Sequence, residues 1–310
     1  MLRVHGPTYR YAGEHINDDI IYIDDHHWDQ DLAQFPILAL LKNSKKQHLL
    51  VFDHLAHDDS LAGYDHVCLP VYLSAEVEVF RNQKILPDWS HKTVTFNFII
   101  NKPRPSRLAL LDMVSKYHLH DFRHTLCWRS SDWPSIPVTD YKFGPEIQLD
   151  QGIKNGNFSN SLTYQELLQK RVVEPTCISL ITEPCFYEKE AMITEKTVMA
   201  IYGGTIPIWI GGWRLPDVLR DLGFDVFDDI VDHSYSQLAD PWARLKEAID
   251  RNLHLLRDRD QIIDFMSRSH DRLRHNLRQL EHNVFLDLVL GRIADDPRLR
   301  EIADLWNLPV

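Results

Sequence analysis

The sequence lacks any apolar run of about 18 residues, which is the length that a membrane-spanning helix needs. The first residues also lack the apolar core of a secretion signal. We therefore expect a cytoplasmic protein without a transmembrane segment. Such a protein would contact a membrane only peripherally.

Cysteine is scarce, and its spacing argues against the common structural zinc motifs. The four cysteines are Cys68, Cys127, Cys177 and Cys185, and no two of them form a C-x-x-C pair. We interpret them as buried, reduced thiols, which fits a reducing compartment.

Basic residues are outnumbered by acidic ones. The chain has 34 Lys and Arg against 45 Asp and Glu, which gives a formal net charge of −11. A nucleic-acid-binding protein usually carries a basic face, and no basic run occurs here, so we expect no nucleic-acid partner. A few converging Arg and Lys side chains can still bind a compact anion such as a diphosphate.

In the first third of the chain, short apolar runs alternate with polar loops. Such runs are typical of buried parallel strands, which are predicted at Ile20–Ile23, Leu49–Phe52 and Val67–Leu73. A helix predicted at Phe35–Lys42 completes a β-α-β pattern. Because 310 residues exceed the usual size of a single core, we expect two domains, with the boundary in the polar stretch between residues 82 and 92.

The same alternation resumes after that stretch. Further strands are predicted at Thr93–Ile100, Cys177–Ile181 and Ile206–Ile210. Helices are predicted at Ser106–Lys116, Thr194–Ile201 and Leu215–Leu222, the last of which Gly223 should terminate. Between them Ser130–Gly156 is predicted to be a long loop, and the chain beyond Pro241 to be helical with a break near Asn283. The sequence thus predicts an α/β fold with two Rossmann-like domains, residues 1–92 and 93–310, and a helical C-terminal segment.

The tripeptide Thr194-Glu195-Lys196 opens one of these helices and carries the clearest functional signal. A helix N-terminus presents free N–H groups and a partial positive charge, both of which favour a phosphate. Lys196 adds a full positive charge, and Glu195 can accept hydrogen bonds from ribose hydroxyls. On these three residues alone, a capped surface helix with a Glu-Lys pair is the better explanation of the pattern.

The longer segment from Ile193 to Gly211, ITEKTVMAIYGGTIPIWIG, resembles the donor-binding motif of inverting fucosyltransferases with the GT-B fold and of related viral and bacterial glycosyltransferases. The later segment LRDLGFDVFDDIVDHSY also resembles these viral and bacterial relatives. The resemblance covers roughly residues 93–250. It implies a GT-B-like architecture, in which two Rossmann-like domains face a cleft and the C-terminal domain binds the donor.

The resemblance also implies roles for individual residues. In the family, the motif Glu binds ribose and the motif Lys binds the diphosphate, which assigns these roles to Glu195 and Lys196. A family Arg that follows the first strand of the donor domain corresponds to Arg107, with Arg104 as the alternative. Glu183 corresponds to the Glu of a family F-E-N-S segment. Thr194 and Gly204 complete the implied donor-binding set.

Two positions depart from the family pattern and leave the identity of the donor open. Met192 stands where relatives often have Tyr, and His233 stands where they usually have Glu.

A base is needed to take the proton of the acceptor hydroxyl, and we expect it at the end of a strand of the N-terminal domain. The preferred candidate is Asp58, followed by Asp53 and His54, in the cluster that also holds His57 and Asp59. The alternative cluster is Asp24, Asp25, His26 and His27, from which we select Asp25.

A metal site is the competing interpretation of these Asp and His clusters. Asp258-Arg259-Asp260 formally matches the Asp-x-Asp motif of metal-dependent glycosyltransferases, but its highly charged helical context predicts a solvated face. We expect no metal site, because Arg107 and Lys196 can supply the positive charge that the leaving diphosphate needs.

The expected function is transfer of a sugar from a nucleotide-sugar co-substrate, such as a GDP- or UDP-sugar, to a hydroxyl of a glycan or glycolipid, as in polysaccharide biosynthesis. The resemblance implies inversion at the anomeric carbon. Three alternatives stay open: a sugar transferase acting on modified nucleic-acid bases, a non-catalytic nucleotide-sugar- or glycan-binding protein, and a metal-dependent hydrolase.

Overall fold

The protein has a mixed α/β fold with two four-stranded parallel sheets. A computed structural model describes residues 2–5, 20–24, 47–53, 55–57, 64–82, 89–100, 105–119, 122–126, 172–183, 186 and 190–309. The predicted helix at 35–42 and the predicted loop at 130–156 lie outside these residues.

The first sheet confirms two of the three N-terminal strand predictions. Its strands follow one another across the sheet in chain order: β1 (Leu2–His5), β2 (Ile20–Asp24), β3 (Leu49–Phe52) and β5 (Asp65–Cys68). Every residue of β3 is buried, which explains why this strand is a continuous apolar run.

The prediction of one strand at Val67–Leu73 is wrong. β5 ends at Cys68, and helix α1 (Val71–Asn82) begins three residues later. Pro70 lacks the N–H that a strand pairing needs, and it stands immediately before the first helical residue. Within α1, Leu73, Val77 and Phe80 recur at helical spacing and are buried.

The second sheet confirms the three strand predictions of the C-terminal part. Its strands are β6 (Val94–Ile100), β7 (Phe122–Leu126), β8 (Thr176–Thr182) and β10 (Ile206–Ile210). Their spatial order is β10-β8-β6-β7, so β6 and β8 occupy the centre. All residues of β8 and β10 are buried.

Three helices that follow strands of this sheet lie close to their predicted bounds. They are α2 (Pro105–Lys116), α3 (Glu195–Tyr202) and α4 (Leu215–Asp221). Gly223 follows the end of α4 with a positive φ of 86°, as the sequence predicts for a glycine that terminates a helix.

The chain beyond Pro241 is helical, as predicted. Its helices are α5 (Pro241–Arg251), α6 (Leu253–Arg257), α7 (Arg259–Arg268), α8 (His270–Glu281), α9 (Val284–Asp295) and α10 (Arg300–Trp306). The break predicted near Asn283 is confirmed, since Asn283 has a φ of 53° and caps α9. The breaks at Asn252, Asp258 and Ser269 carry no glycine or proline, and the sequence did not reveal them.

The C-terminal helices return to the first sheet. Val289 and Ile293 of α9 and Ile302 of α10 are buried in one core with Tyr22 and Val51 of the first sheet. Helices from beyond the predicted boundary at residue 92 therefore complete the N-terminal core.

Helix α1 in turn packs into a core beside the second sheet. Leu73, Val77 and Phe80 of α1 share one cluster with residues of α3. The rings of Phe80 and Tyr202 stack with their centroids 5.2 Å apart. The N-terminal part of the chain is thereby held against the second sheet through α1.

The expectation of buried cysteines is confirmed for the two that the structure describes. Cys68 and Cys177 are buried, as expected, and Cys127 and Cys185 lie outside the described residues. Among the residues that the structure describes, no helix has the length and apolar character needed to cross a bilayer.

Candidate functional site

The order of strands in the second sheet reverses at one place, and a crevice is expected there. In chain order β6 comes first, β7 lies on one side of it, and β8 lies on its other side. In open parallel sheets, ligands bind outside the carboxyl ends of the two strands that flank such a reversal. Here those strands are β6 and β8, and the latter ends at Thr182.

Arg107 lies at this place. It belongs to the first turn of α2, the helix that follows β6, and only 3% of its surface is exposed. Its Nη2 donates a hydrogen bond to the backbone oxygen of Thr182, at 3.4 Å, so the guanidinium lies at the carboxyl end of β8. Arg104, the alternative predicted from the sequence, lies outside the described residues.

Helix α3 begins at the same edge, and Thr194 is its N-cap as predicted. The Thr194 hydroxyl oxygen accepts hydrogen bonds from the backbone nitrogen of Lys196, at 3.4 Å, and from its Nζ, at 3.1 Å. Nζ of Lys196 also lies 3.1 Å from Oε1 of Glu195. Lys196 is 8% exposed and the Glu195 side chain 30% exposed, so the carboxylate reaches water more readily than the ammonium.

The charges of Arg107 and Lys196 act on the same carboxylate. Burial by itself raises the pKa of Glu195, but the charge and hydrogen bond of Lys196, the backbone at the start of the helix and the charge of Arg107 outweigh it. The pKa of Glu195 is therefore lowered. Arg107 bonds the oxygen of Thr182, and the next residue, Glu183, bonds Thr194 at the start of α3. Arg107, Glu195 and Lys196 therefore lie at the same edge of the sheet.

Glu183 lies beneath the start of α3 instead of facing the crevice. It follows β8 directly and is 2% exposed. Its carboxylate accepts hydrogen bonds from the Thr194 backbone nitrogen at 3.1 Å, the Thr194 hydroxyl at 2.7 Å and the Thr197 hydroxyl at 2.6 Å. These contacts hold the first turn of the helix in place, which is a different role from the direct donor contact that the resemblance implies.

Gly204 lies at the opposite end of α3 from Thr194. The eight residues of the helix span about 12 Å, so Gly204 is remote from the cationic end. It has a φ of 58°, and a Cβ at this position would lie 2.6 Å from the indole of Trp89. The structure therefore gives Gly204 a packing role against Trp89, and its membership of the donor-binding set stays a prediction.

Of the four candidate bases, Asp53 is described. It is 3% exposed, and its carboxylate accepts hydrogen bonds from the Tyr22 hydroxyl at 2.7 Å and from the Tyr72 backbone nitrogen at 3.2 Å. Asp53 thus caps the first turn of α1, and these contacts favour a structural role. Asp25, His54 and Asp58 lie outside the described residues, as do His26, His27 and Asp59.

A short pairing, which the sequence did not reveal, brings the segment after β3 beside the segment that precedes α3. Strand β4 (Ala56–His57) pairs antiparallel with β9 (Glu190–Ala191), and the Leu55 backbone nitrogen donates to the Ala191 oxygen at 2.9 Å. His57 lies opposite Glu190, four residues before Thr194. Residues 55–57, which lie within the segment of the predicted catalytic cluster, therefore run beside the segment that leads into α3.

Tyr72 is a second feature that sequence reasoning missed. Burial raises the pKa of its hydroxyl, and the negative charges of Glu195, Glu76 and Asp53 raise it further. Its backbone nitrogen donates to Asp53 just after β3, and its hydroxyl stays protonated at neutral pH. The sequence feature that could have identified Tyr72 is its position two residues after Pro70, at the start of a helix that follows a strand.

The two residues that depart from the family pattern are both in the core. Met192 is 1% and His233 7% exposed. The His233 ring packs at 5.7 Å from the Trp209 ring, and its Nε2 lies 2.7 Å from the Val226 oxygen. Burial lowers the pKa of His233, against the opposing effects of the Val226 carbonyl and Asp228.

The Asp-x-Asp sequence lies on a solvated face, as predicted, and Asp258 also caps α7. Asp258 accepts a hydrogen bond from the Gln261 backbone nitrogen at 2.9 Å, and Asp258 and Asp260 are both exposed. Across the described ranges, no three or more His, Cys, Asp or Glu side chains are grouped so that they could hold a metal ion.

A groove of about 540 Å³ near α4 is a less suitable place for a diphosphate. Its lining includes four aspartates and one arginine. Arg220 is already paired with Asp217 at 2.8 Å and with Asp228 at 2.7 Å. The excess of negative charge repels a phosphate, which leaves the crevice at the carboxyl end of β8 as the candidate site.

Comparison of the chain with family models, curated proteins and solved structures finds no match.

Proposed function

We propose that the protein is a GT-B-like glycosyltransferase that binds a nucleotide sugar at the crevice between β6 and β8. Two nearly buried cations, Arg107 and Lys196, carry this proposal, because they flank the N-terminus of α3 at the reversal point of the sheet. A helix N-terminus together with an arginine and a lysine provides the hydrogen-bond donors and the charge that a diphosphate requires.

The ionic contacts of the site allow Lys196 to exchange partners. Its ion pair with Glu195 joins a nearly buried ammonium to a carboxylate that is 30% exposed. A buried charge needs a partner of opposite charge, and a diphosphate can serve as that partner. A donor diphosphate can therefore replace Glu195 as the partner of Lys196. Glu195 is then released to accept hydrogen bonds from the ribose hydroxyls.

The proposed reaction is a direct displacement at the anomeric carbon, with inversion. The acceptor hydroxyl forms the new bond to this carbon and gives its proton to a base, while the bond to the diphosphate oxygen breaks and its electron pair leaves with the nucleoside diphosphate. Arg107 and Lys196 stabilise the charge on the leaving group, which makes a metal ion unnecessary in this proposal.

We assign the base to the cluster after β3, with Asp58 preferred. Support comes from the β4–β9 pairing, in which Ala56 and His57 of this segment lie beside the entry to α3. Asp53 is a weaker candidate than the other members because its carboxylate is engaged in capping contacts. The acceptor in this proposal is a hydroxyl of a glycan or glycolipid.

A screen of thermal stability against UDP-, GDP-, CMP- and dTDP-sugars tests the proposal. A ligand that binds the native state stabilises it and so raises the midpoint temperature of unfolding. At a ligand concentration one hundred times its Kd, the gain in stability is about 2.7 kcal/mol. We expect at least one nucleotide sugar to raise the midpoint, and that donor to be consumed when a glycan acceptor is added. Binding without consumption would indicate a non-catalytic nucleotide-sugar-binding protein, and no binding to any of the four classes would refute the proposal.

A further inference from the structure

The hydroxyl of Thr194 lies between the carboxylate of Glu183 and the ammonium of Lys196. It is 2.7 Å from Oε2 of Glu183 and 3.1 Å from Nζ of Lys196. A hydroxyl has one hydrogen to donate and two lone pairs with which to accept. The direction of its hydrogen bonds is therefore decided by its neighbours.

The neighbours permit one direction. A carboxylate only accepts hydrogen bonds and an ammonium only donates them. The Thr194 hydroxyl must give its hydrogen to Glu183, so both of its lone pairs face Lys196, one toward the backbone nitrogen and one toward Nζ.

A second threonine obeys the same rule. The Thr197 hydroxyl lies 2.6 Å from Oε1 of Glu183 and 3.1 Å from Nε1 of Trp209. Because the indole N–H of Trp209 only donates, Thr197 also gives its hydrogen to Glu183. Glu183, Thr194, Thr197 and Trp209 are each at most 4% exposed, so water does not compete for these bonds.

We propose that Glu183 is a positioning residue that acts on the donor diphosphate through the Thr194 hydroxyl and Lys196. By forcing this hydroxyl to donate away from the crevice, Glu183 keeps an acceptor permanently aimed at the Lys196 ammonium. Lys196 is then held at the start of α3 by Thr194 while its other partner changes from Glu195 to a phosphate oxygen. This inference rests on the proposed function.

Glu183→Gln tests the direction of the hydrogen bonds with little change in shape. If the amide oxygen takes the place of Oε1, it still accepts from the Thr194 backbone nitrogen and from Thr197. The amide nitrogen then donates to the Thr194 hydroxyl oxygen, which would have three donors for two lone pairs. The bond to Nζ of Lys196 is the one that a flexible side chain can give up.

The probe is inorganic pyrophosphate, titrated calorimetrically into the full chain. We expect Glu183→Gln and Thr194→Val each to weaken pyrophosphate binding about three- to tenfold, the effect of one lost hydrogen bond. Thr194→Ser, which keeps the hydroxyl, should restore the binding that Thr194→Val loses. In a Lys196→Met background, Glu183→Gln should change the affinity less than about twofold, since the two residues act in series.

Thr205→Val is the matched control for a general loss of stability. Thr205 is 2% exposed, lies beyond the other end of α3, and donates to Ser179 at 2.8 Å. This variant should lose a hydrogen bond and some stability without a change in pyrophosphate affinity.

Each outcome of the titrations has a distinct meaning. An unchanged affinity in Glu183→Gln, or an equal loss with and without the Lys196 ammonium, overturns the role of Glu183. If Glu183→Gln does not fold, Thr194→Val replaces it in the test. The loss of pyrophosphate affinity that Thr194→Val causes is then compared between the wild type and the Lys196→Met background. If Lys196→Met itself binds pyrophosphate as the wild type does, the proposed function fails instead.

Discussion

Arg107 and Lys196 keep 3% and 8% of their surface in water, and a buried charge costs free energy unless it is compensated. The compensation within the chain includes the Thr182 oxygen for Arg107, and the Thr194 hydroxyl and Glu195 for Lys196. Such a cluster can accept an anion in place of a movable carboxylate. At the scale of the single residue, this exchange is what the proposed function requires.

His233 gives a prediction about pH. Because burial holds its pKa below the ordinary value near 6.5, the unfolded chain takes up a proton as the pH falls through that value while the native protein does not. Its contribution to stability is thus present above about pH 6.5 and lost below it. The free energy of unfolding should fall more steeply between about pH 7.5 and pH 5.5 in the wild type than in His233→Gln, by up to about 1.4 kcal/mol per pH unit.

Urea unfolding at a series of pH values measures this difference. His254→Gln is the control, because His254 is exposed in α6 and its replacement should leave the wild-type slope unchanged. A slope in His233→Gln as steep as that of the wild type would show that another group causes the acid destabilisation.

At the scale of the element, α3 is fixed at both ends by different devices. Glu183 and Thr194 hold its first turn through side-chain hydrogen bonds. Trp89 packs against Gly204 beyond its last turn, and the indole nitrogen donates to the Tyr202 oxygen at 3.0 Å. A helix of eight residues has little stability of its own, so these contacts determine where its N-terminus points.

Replacing Gly204 by Ala tests the second device. The new Cβ would lie 2.6 Å from the Trp89 ring, in a backbone conformation with a φ of 58° that Ala adopts at a cost. We expect a loss of about 1–3 kcal/mol in the free energy of unfolding, measured by urea denaturation.

Gly291→Ala is the matched control for that substitution. Gly291 lies within α9, and nothing lies within 4 Å of a Cβ added there. Alanine in an exposed helix interior should stabilise the protein by up to about 1 kcal/mol. Equal effects of the two substitutions, in sign and size, would contradict the role given to Trp89.

Several helix ends were predictable from the sequence because they depend on local chemistry. The Thr194 cap, the glycine after α4 and the break at Asn283 depend on residues adjacent in the chain. The β4–β9 pairing joins segments more than 130 residues apart, and neither contains a turn signal that points to the other. The burial of Glu183 beneath α3 also depends on tertiary packing, which explains why the resemblance alone assigned it a direct contact with the donor.

At the scale of the whole molecule, α1 and the C-terminal helices join the two parallel sheets. Helix α9 contributes Phe285 to the core that contains α3, and Val289 and Ile293 to the core of the first sheet. Five of the eight parallel strands were predictable because each is an apolar run between polar loops. Strands β1, β5 and β7 mix polar with apolar residues and were not predicted correctly. The return of α9 and α10 was not, since an amphipathic helix shows that it has an apolar face but not which sheet covers that face.

The central claim is that the cationic crevice binds the diphosphate of a nucleotide. The most direct measurement is the calorimetric affinity of GDP and UDP for the wild type and for Lys196→Met, with guanosine and uridine as ligands that lack the phosphates. We expect Lys196→Met to weaken binding of the preferred diphosphate by about 1.5–3 kcal/mol, roughly ten- to a hundredfold, and to leave nucleoside binding unchanged. Equal diphosphate affinity in the two proteins would contradict the account.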